Sequence, residues 1–308
     1  MSHSPLRCLV SGIQHFSPCV GHGLRTTIFL AGCPLRCFWC CNPECRINRP
    51  VLVCNMEKCI GRHACGHCMD ACPNSAIYSS KNVIRVARDR CRNCGACVSR
   101  CPSGALFMSG RSMSPEEIME DVMKDKDYIM NGGGVTLSGG EPMMHPQESA
   151  EILRLAHSLG LHTAMETCGF FDLDAPAAIA ALQETDLLFF DIKHSDPLIH
   201  RRGTGVDNSR ILCNFERISV EFPHLELHSR TLIVPGFNDD DATMRNIARI
   251  VKRTGSLLHI LEVYSGICQD KYAQLGMPFS QFPASLAQGR MEAIMDIFQE
   301  EGLSVELH

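Results

Sequence analysis

Residues 26–45 read Thr26-Thr27-Ile28-Phe29-Leu30-Ala31-Gly32-Cys33-Pro34-Leu35-Arg36-Cys37-Phe38-Trp39-Cys40-Cys41-Asn42-Pro43-Glu44-Cys45. The first seven are an apolar, strand-length run that suits a strand buried on both faces. It opens directly into a CxxxCxxC loop, Cys33, Cys37 and Cys40, which can wrap three thiolates around one centre. A four-iron cube normally takes four cysteines, so three leave one iron open to a ligand from outside the chain. A structural zinc site would be closed by four ligands. Cys41 and Cys45 stand nearby, but Cys41, adjacent to Cys40, would point away from the same metal.

Outward from this loop, the chain alternates strand and helix. Strands are predicted at Thr26–Leu30, Val135–Ser138, His162–Glu166, Leu187–Asp191, Leu225–Val234 and Leu257–Val263, with a last one at Ser304–Leu307. Helical patterns lie at Pro115–Lys126, Gln147–Leu159, Ala175–Gln183, Ser209–Glu221, Asp241–Thr254 and Ala284–Glu301. Ser114 before Pro115, with Glu117 following, has the form of a capping box. Such alternation implies an α/β fold with a parallel sheet, and six units fit a partial TIM-type (β/α)6 barrel. Parallel sheets carry function at the carboxyl ends of their strands. Every unusual polar or glycine-rich motif falls there: the cysteine loop, Ser138-Gly139-Gly140-Glu141-Pro142, Glu166-Thr167-Cys168-Gly169, Asp191-Ile192-Lys193, Val234-Pro235-Gly236-Phe237-Asn238-Asp239 and Tyr264-Ser265. Gly139-Gly140 offers backbone that a ligand can approach closely. Glu166, Asp191 and Lys193 end apolar strands, so each must be paired or bind something polar. An internal salt bridge and an amino-acid-like ligand both satisfy that demand.

The alternation is interrupted once. Cys59, Cys65, Cys68 and Cys72 read CxxxxxCxxCxxxCP, and Cys91, Cys94, Cys97 and Cys101 read CxxCxxCxxxCP. This internal repeat is the two-cluster bacterial ferredoxin run, in which the last cysteine of each motif ligates the other cluster. One cluster would take Cys59, Cys65, Cys68 and Cys101; the other Cys91, Cys94, Cys97 and Cys72. Two zinc knuckles would not require the paired Cys-Pro endings. The reading gives an inserted 2x[4Fe-4S] ferredoxin-like domain at 53–108 and a barrel at 1–52 and 109–308. Cys8, Cys19, Cys41, Cys45, Cys54, Cys168, Cys213 and Cys268 remain as free thiols.

Composition narrows the classes. The 308 residues include 19 cysteines and carry a net charge of −5, with 45% hydrophobic and 20% charged residues. Sixteen of the cysteines lie between Cys8 and Cys101, a skew that suits metal binding in a reducing compartment better than a secreted disulfide scaffold. The negative balance argues against a nucleic-acid partner. No apolar run approaches the ~20 residues of a membrane span, and Met1–Gly12 lacks a signal-peptide core. A cytoplasmic monomer is expected.

The segment Cys33–Glu44 resembles the signature of glycyl-radical-enzyme activating enzymes, a branch of the radical S-adenosylmethionine (SAM) superfamily. So do Gly132–Pro142, Asp191-Ile192-Lys193 running to Thr204-Gly205, and Val234–Asp239. The resemblance runs from about Ser11 to the C-terminus, and the ferredoxin-like insertion is similar to the longer subgroup. It implies that Cys33, Cys37 and Cys40 hold a [4Fe-4S] cluster whose open iron chelates SAM. It further implies that Trp39, Cys40 and Cys41 line the adenine side, that Gly139, Gly140 and Glu141 meet the methionine end, with Gly140 at the amino group, and that Asp191, Ile192 and Lys193 hold other parts of SAM. Glu166 with Thr167 and Asp191 is expected to hold a monovalent cation. Two motifs depart from the family: Val20-Gly21-His22-Gly23-Leu24-Arg25-Thr26 lacks its acid and proline, and Ser265 stands in place of a histidine. Three [4Fe-4S] clusters, a glycyl radical enzyme as protein substrate and a ferredoxin or flavodoxin as electron donor are the implied cofactors and partners. The alternative within the same chemistry is a maturase acting on another peptide or a small molecule. A non-catalytic electron-transfer module would not explain CxxxCxxC together with Gly-Gly-Glu.

Overall fold

The computed structural model describes residues 6–18, 21–256, 258–280 and 285–307. Val20, Cys19, Leu257 and Ala284, each named above, lie outside the described residues. Strand β1, Cys8–Ser17, leads into β2, Arg25–Leu30. An excursion then carries β3 (Val51–Cys54), β4 (Ile77–Ser80), β5 (Val83–Val86) and β6 (Leu106–Ser109). The chain returns through β7, Arg111–Met113, to the helix α1, Pro115–Val122. Thereafter strands and helices alternate: β8 Gly134–Gly139, α2 Pro146–Ser158, β9 His162–Thr167, α3 Pro176–Gln183, β10 Leu187–Asp191, α4 Pro197–Thr204, α5 Ser209–Glu221, β11 Glu226–Ile233, α6 Asp241–Thr254, β12 Leu258–Val263, α7 Gln269–Leu275, α8 Arg290–Glu300 and β13 Val305–Leu307.

One nine-stranded sheet runs in the order β13-β12-β11-β10-β9-β8-β2-β1-β7. The seven strands from β2 to β13 along it pair in parallel, while β1 and β7 add antiparallel strands at one side. The sheet ends at β7 and β13 instead of closing, which is the partial barrel expected from the six repeating units. Parallel strands with helices on their crossovers bury both faces, and β2, β8 and β10 are buried along almost their whole length. The helices supply the other half of the core through Ile152, Leu153, Phe215, Ile247 and Phe298. Among the described residues no helix is long and apolar enough to cross a membrane.

Local chemistry sets several boundaries. Ser114 Oγ accepts from Glu117 N (3.3 Å) and Glu117 Oε2 from Ser114 N (2.9 Å), so the capping box opens α1 as predicted. The helix ends at Val122 and not at Lys126. Asp125 turns into the core instead, accepting from Thr26 Oγ1 and pairing with His15, both at 2.6 Å, and a 3-10 turn accommodates it. Helix α8 starts only at Arg290, behind Gly289 in the left-handed region at φ 71°. Strand β1 is not among the strands predicted above; register shifts at Val10/Gly12 and Gln14/Ser17 interrupt its pairing with β2.

In the excursion, β3 and β6 pair antiparallel from Val51↔Ser109 to Cys54↔Leu106, so the chain leaves and returns at one place. The β4–β5 hairpin turns on Lys81 and Asn82, both at positive φ. Leu52, Cys54, Cys68, Ile77, Ile84, Cys97 and Leu106 form an apolar cluster separate from the barrel core.

Candidate active site

The glycines of Gly139-Gly140 are needed for a reason other than ligand approach. Leu30 is in register with Gly139, and Gly140 N donates to Leu30 O (2.8 Å). A Cβ on Gly140 would run into the carbonyl oxygens of Gly32 and Cys45. The missing side chains thus let the end of β8 lie against the cysteine loop, and Glu141 N completes the seam on Gly32 O (2.8 Å).

The loop is fixed from its other side too. Arg36 N and Phe38 N donate to Thr204 O and Gly203 O at 2.6 and 3.2 Å. These are carbonyls of the last turn of α4, which have no partner within the helix. Trp39 packs on Phe237 with centroids 4.5 Å apart, and Gly203 leaves room for both rings. From α7, Tyr272 OH donates to Cys40 O (2.9 Å), and Lys271 Nζ reaches Asn42 Oδ1 (3.0 Å) and Glu44 Oε1 (2.8 Å).

These contacts frame a cavity of about 280 Å³ at the carboxyl ends of the strands. Cys33, Cys37 and Cys40 wall it on one side, with Trp39 and Cys41 beside them; Gly139, Gly140, Glu166, Thr167, Asp191 and Lys193 wall the other. Burial pushes the Cys37 thiol up to about 12 and Cys40 to about 11. A thiolate there therefore needs a cation close by, and three soft sulfurs suit an iron–sulfur centre. Two predicted residues do not line the cavity. Glu141 is fully buried beneath it and clamps neighbouring segments, accepting from Thr167 Oγ1 (2.8 Å), Cys168 N (2.7 Å) and Met143 N (3.0 Å). Ile192, also buried, contributes its backbone: N to Arg230 O and O to Thr231 Oγ1.

The cysteines of the excursion fall into two groups. Cys59, Cys65, Cys68 and Cys101 border one small cavity; Cys72, Cys91, Cys94 and Cys97 border another. Each thus takes the last cysteine of the other motif. Among the described residues no three His, Cys, Asp or Glu side chains converge on a single ion.

The radical SAM superfamily model matches residues 81–247, more than half of the chain. The chain belongs to the radical SAM superfamily. It is 36% identical over 300 residues to the isethionate sulfite-lyase activating enzyme of Desulfovibrio desulfuricans, covering 96% of this chain and 94% of that protein. It is 39% identical over 269 residues to the (2S)-3-sulfopropanediol sulfolyase activating enzyme of Bilophila wadsworthia, covering 87% and 88%. Streptococcus suis SuiB bound to precursor peptide SuiA shares the fold at a TM-score of 0.55 and 11% identity, over 90% of this chain and 46% of that one.

The residue that organises this radical SAM cavity was not singled out in the sequence. Arg230, in the middle of β11, donates through Nε to Asp191 Oδ1 and through Nη1 to Glu166 Oε1, both at 2.7 Å. Ser138 Oγ donates to the other oxygen of Glu166, and Lys193 Nζ to Asp191 Oδ2 at 2.8 Å. Burial would raise the Asp191 carboxyl, but Arg230 and then Lys193 hold it down to about 2. Burial would likewise lower Lys193, and Asp191 outweighs it. Arg230 thus places a positive charge between Glu166 and Asp191, and Thr167 Oγ1 is turned to Glu141. The internal salt bridge and the ligand-facing position, posed as alternatives, coexist. Arg230 was missed because strand β11 reads as a plain alternation, and only the pairing of β10 with β11 sets Asp191 beside it. Cys168, read as an ordinary thiol, also lines the cavity. Its S–H donates to Cys33 and lowers that thiol against the effect of burial. Ser265 is exposed and lies outside the cavity wall.

Proposed function

We propose that the chain cleaves SAM reductively and uses the resulting radical to take a hydrogen atom from a backbone glycine of a partner glycyl radical enzyme. The observation that carries this is the convergence of Cys33, Cys37 and Cys40 with Gly140, Lys193 and the Asp191–Arg230–Glu166 network on one cavity. Relatives aligned over most of the chain, named as activating enzymes, support it. Cys33, Cys37 and Cys40 would hold a four-iron cluster, which when reduced supplies the electron that breaks SAM into methionine and a 5′-deoxyadenosyl radical. The chain's own groups do the binding. Gly140 N is already committed to Leu30, so its carbonyl is the group left for the ammonium of SAM. Lys193 stays protonated beside Asp191 and can face the carboxylate. Trp39 and Cys41 wall the adenine end. The open sheet between β7 and β13 suits a substrate as large as a protein loop.

The same reading assigns residues 53–108 two further four-iron clusters, one on Cys59, Cys65, Cys68 and Cys101 and one on Cys72, Cys91, Cys94 and Cys97. A ferredoxin or flavodoxin would then be the electron source. The test mixes reduced protein, SAM and a glycyl radical enzyme encoded nearby. Electron paramagnetic resonance should show a carbon-radical doublet that collapses when the target glycine is α-deuterated. SAM cleavage with no radical on any neighbouring protein would favour a maturase instead.

A further inference from the structure

The charge of this chain is unevenly placed. Residues 53–108 hold eight Lys and Arg against three Asp and Glu, so this stretch is +5 while the rest of the chain is −10. Seven of the eight cations are exposed. The eighth, Arg88, is spent on backbone, donating to Leu52 O (2.6 Å) and Gln274 O (2.7 Å). The salt bridges of the described residues, from Arg7–Glu117 to Arg290–Asp241, include none of the eight. The ion pairs of the described residues lie in the barrel, whereas the excursion leaves its cations to solvent.

Their placement is not uniform either. Arg90 and Arg92, joined by exposed Arg49, line an open surface cleft with Asn74, Asp89 and Cys91. Asn74, Cys91 and Arg92 also border the cavity of Cys72, Cys91, Cys94 and Cys97, so the floor of the cleft is the wall of that cavity. Cys94 is exposed, alone among the eight cysteines of the two motifs. Over the other cavity, the surface cleft at Cys101 carries one arginine, Arg100, against Asp70, with His67 beside them. Inward from the Arg49 cleft the contacts are continuous. Leu52 borders the same cavity, Arg88 ties Leu52 to Gln274 on α7, and Tyr272 of α7 holds the Cys40 carbonyl.

We propose that the cleft of Arg49, Arg90 and Arg92 docks an acidic one-electron carrier protein, and that electrons enter the chain at Cys72, Cys91, Cys94 and Cys97. The inference rests on the reading that these four cysteines hold a cluster. The carrier gives up one electron and that cluster takes it. The cleft carries three arginines against one aspartate, Asp89, and a rim of such net positive charge around a partly exposed redox centre raises encounter rates by ~10- to 10³-fold and orients the partner, an effect that salt removes. With a screening length of about 8 Å at 0.15 M ionic strength, only charges at the rim of the contact count.

The test compares anaerobic holoenzyme with an Arg49→Glu/Arg90→Glu variant, using an acidic, flavin-loaded flavodoxin as the probe. Binding of the oxidised flavodoxin is measured against salt, and electron transfer from the reduced form by stopped flow. The wild type should bind more weakly as salt rises. The variant should bind at least tenfold more weakly at low salt with a flattened salt dependence, and its reduction should slow in step. Formation of 5′-deoxyadenosine driven by dithionite, which needs no docking, should be unchanged. Equal binding by both proteins, or a larger loss in Arg100→Glu than in the double variant, overturns the proposal. Absence of dithionite-driven SAM cleavage in the wild type would instead sink the functional reading, and the binding measurement would still judge the docking face.

Discussion

Replacing Arg230 by Leu should damage the protein more than replacing any of the carboxylates it holds. Its guanidinium lies 2.7 Å from Asp191 and 2.7 Å from Glu166, and the three side chains are 15%, 20% and 16% exposed. Removing one member of a buried ion pair strands the other charge and costs about 3–5 kcal/mol; here Glu166 is stranded, and Asp191 keeps only Lys193. Arg230→Leu should therefore lower the unfolding free energy in urea by about that amount and weaken SAM binding at least tenfold, measured calorimetrically under anaerobic conditions. Arg230→Lys keeps the charge without the two-pronged geometry and should recover only part of the loss. Adding Glu166→Gln to Arg230→Leu removes the stranded carboxylate while Lys193 stays paired with Asp191, and should restore about 2 kcal/mol of stability without restoring SAM binding. An Arg230→Leu protein within about 1 kcal/mol of wild type that binds SAM normally would refute the clamp, since surface ion pairs contribute no more than that.

Gly140→Ala should lose SAM binding and the iron of the Cys33–Cys40 site together, because the added Cβ meets backbone carbonyls that hold the cysteine loop; iron analysis and a SAM titration check it. Anaerobically reconstituted protein should hold about twelve iron per chain from three four-iron sites, Cys37→Ala about eight with no SAM cleavage, and Cys94→Ala should bind SAM while failing to pass electrons inward. His259 is buried, with Nδ1 on Ser229 Oγ (2.8 Å) and its ring stacked on Phe298, and burial holds its pKa down to about 3. A depressed folded value means that its contribution is fully present above the unfolded value near 6.5 and is lost as pH falls from there toward 3. Lowering pH from 7.5 to 5 should cost about 2 kcal/mol through this residue, and urea unfolding of His259→Phe should show correspondingly less pH dependence.

Most strands and helices of the barrel, the edge at which its polar motifs gather, the three-cysteine loop and the repeat of the excursion are legible in the sequence, while β1, β7, α4 and α7 are not. These signals are local. A buried parallel strand is a short apolar run, helix starts carry their caps, and cysteine ligands repeat at fixed gaps, so periodicity and spacing express them directly. Leu187–Asp191, Ser209–Glu221 and Asp241–Thr254 accordingly appear with the bounds read from sequence. Tertiary structure alone decided the rest. Arg230 faces Asp191 because β10 and β11 are in register, and Cys168 reaches Cys33 because Glu141, at the end of the intervening β8, holds both Cys168 N and the Gly32 carbonyl of the cysteine loop. Lys271 and Tyr272 support Asn42, Glu44 and Cys40 from more than two hundred residues away along the chain. A buried charge states in sequence only that it must find a partner. Which partner it finds depends on strand register and helix docking, which are set by the packing of the whole core.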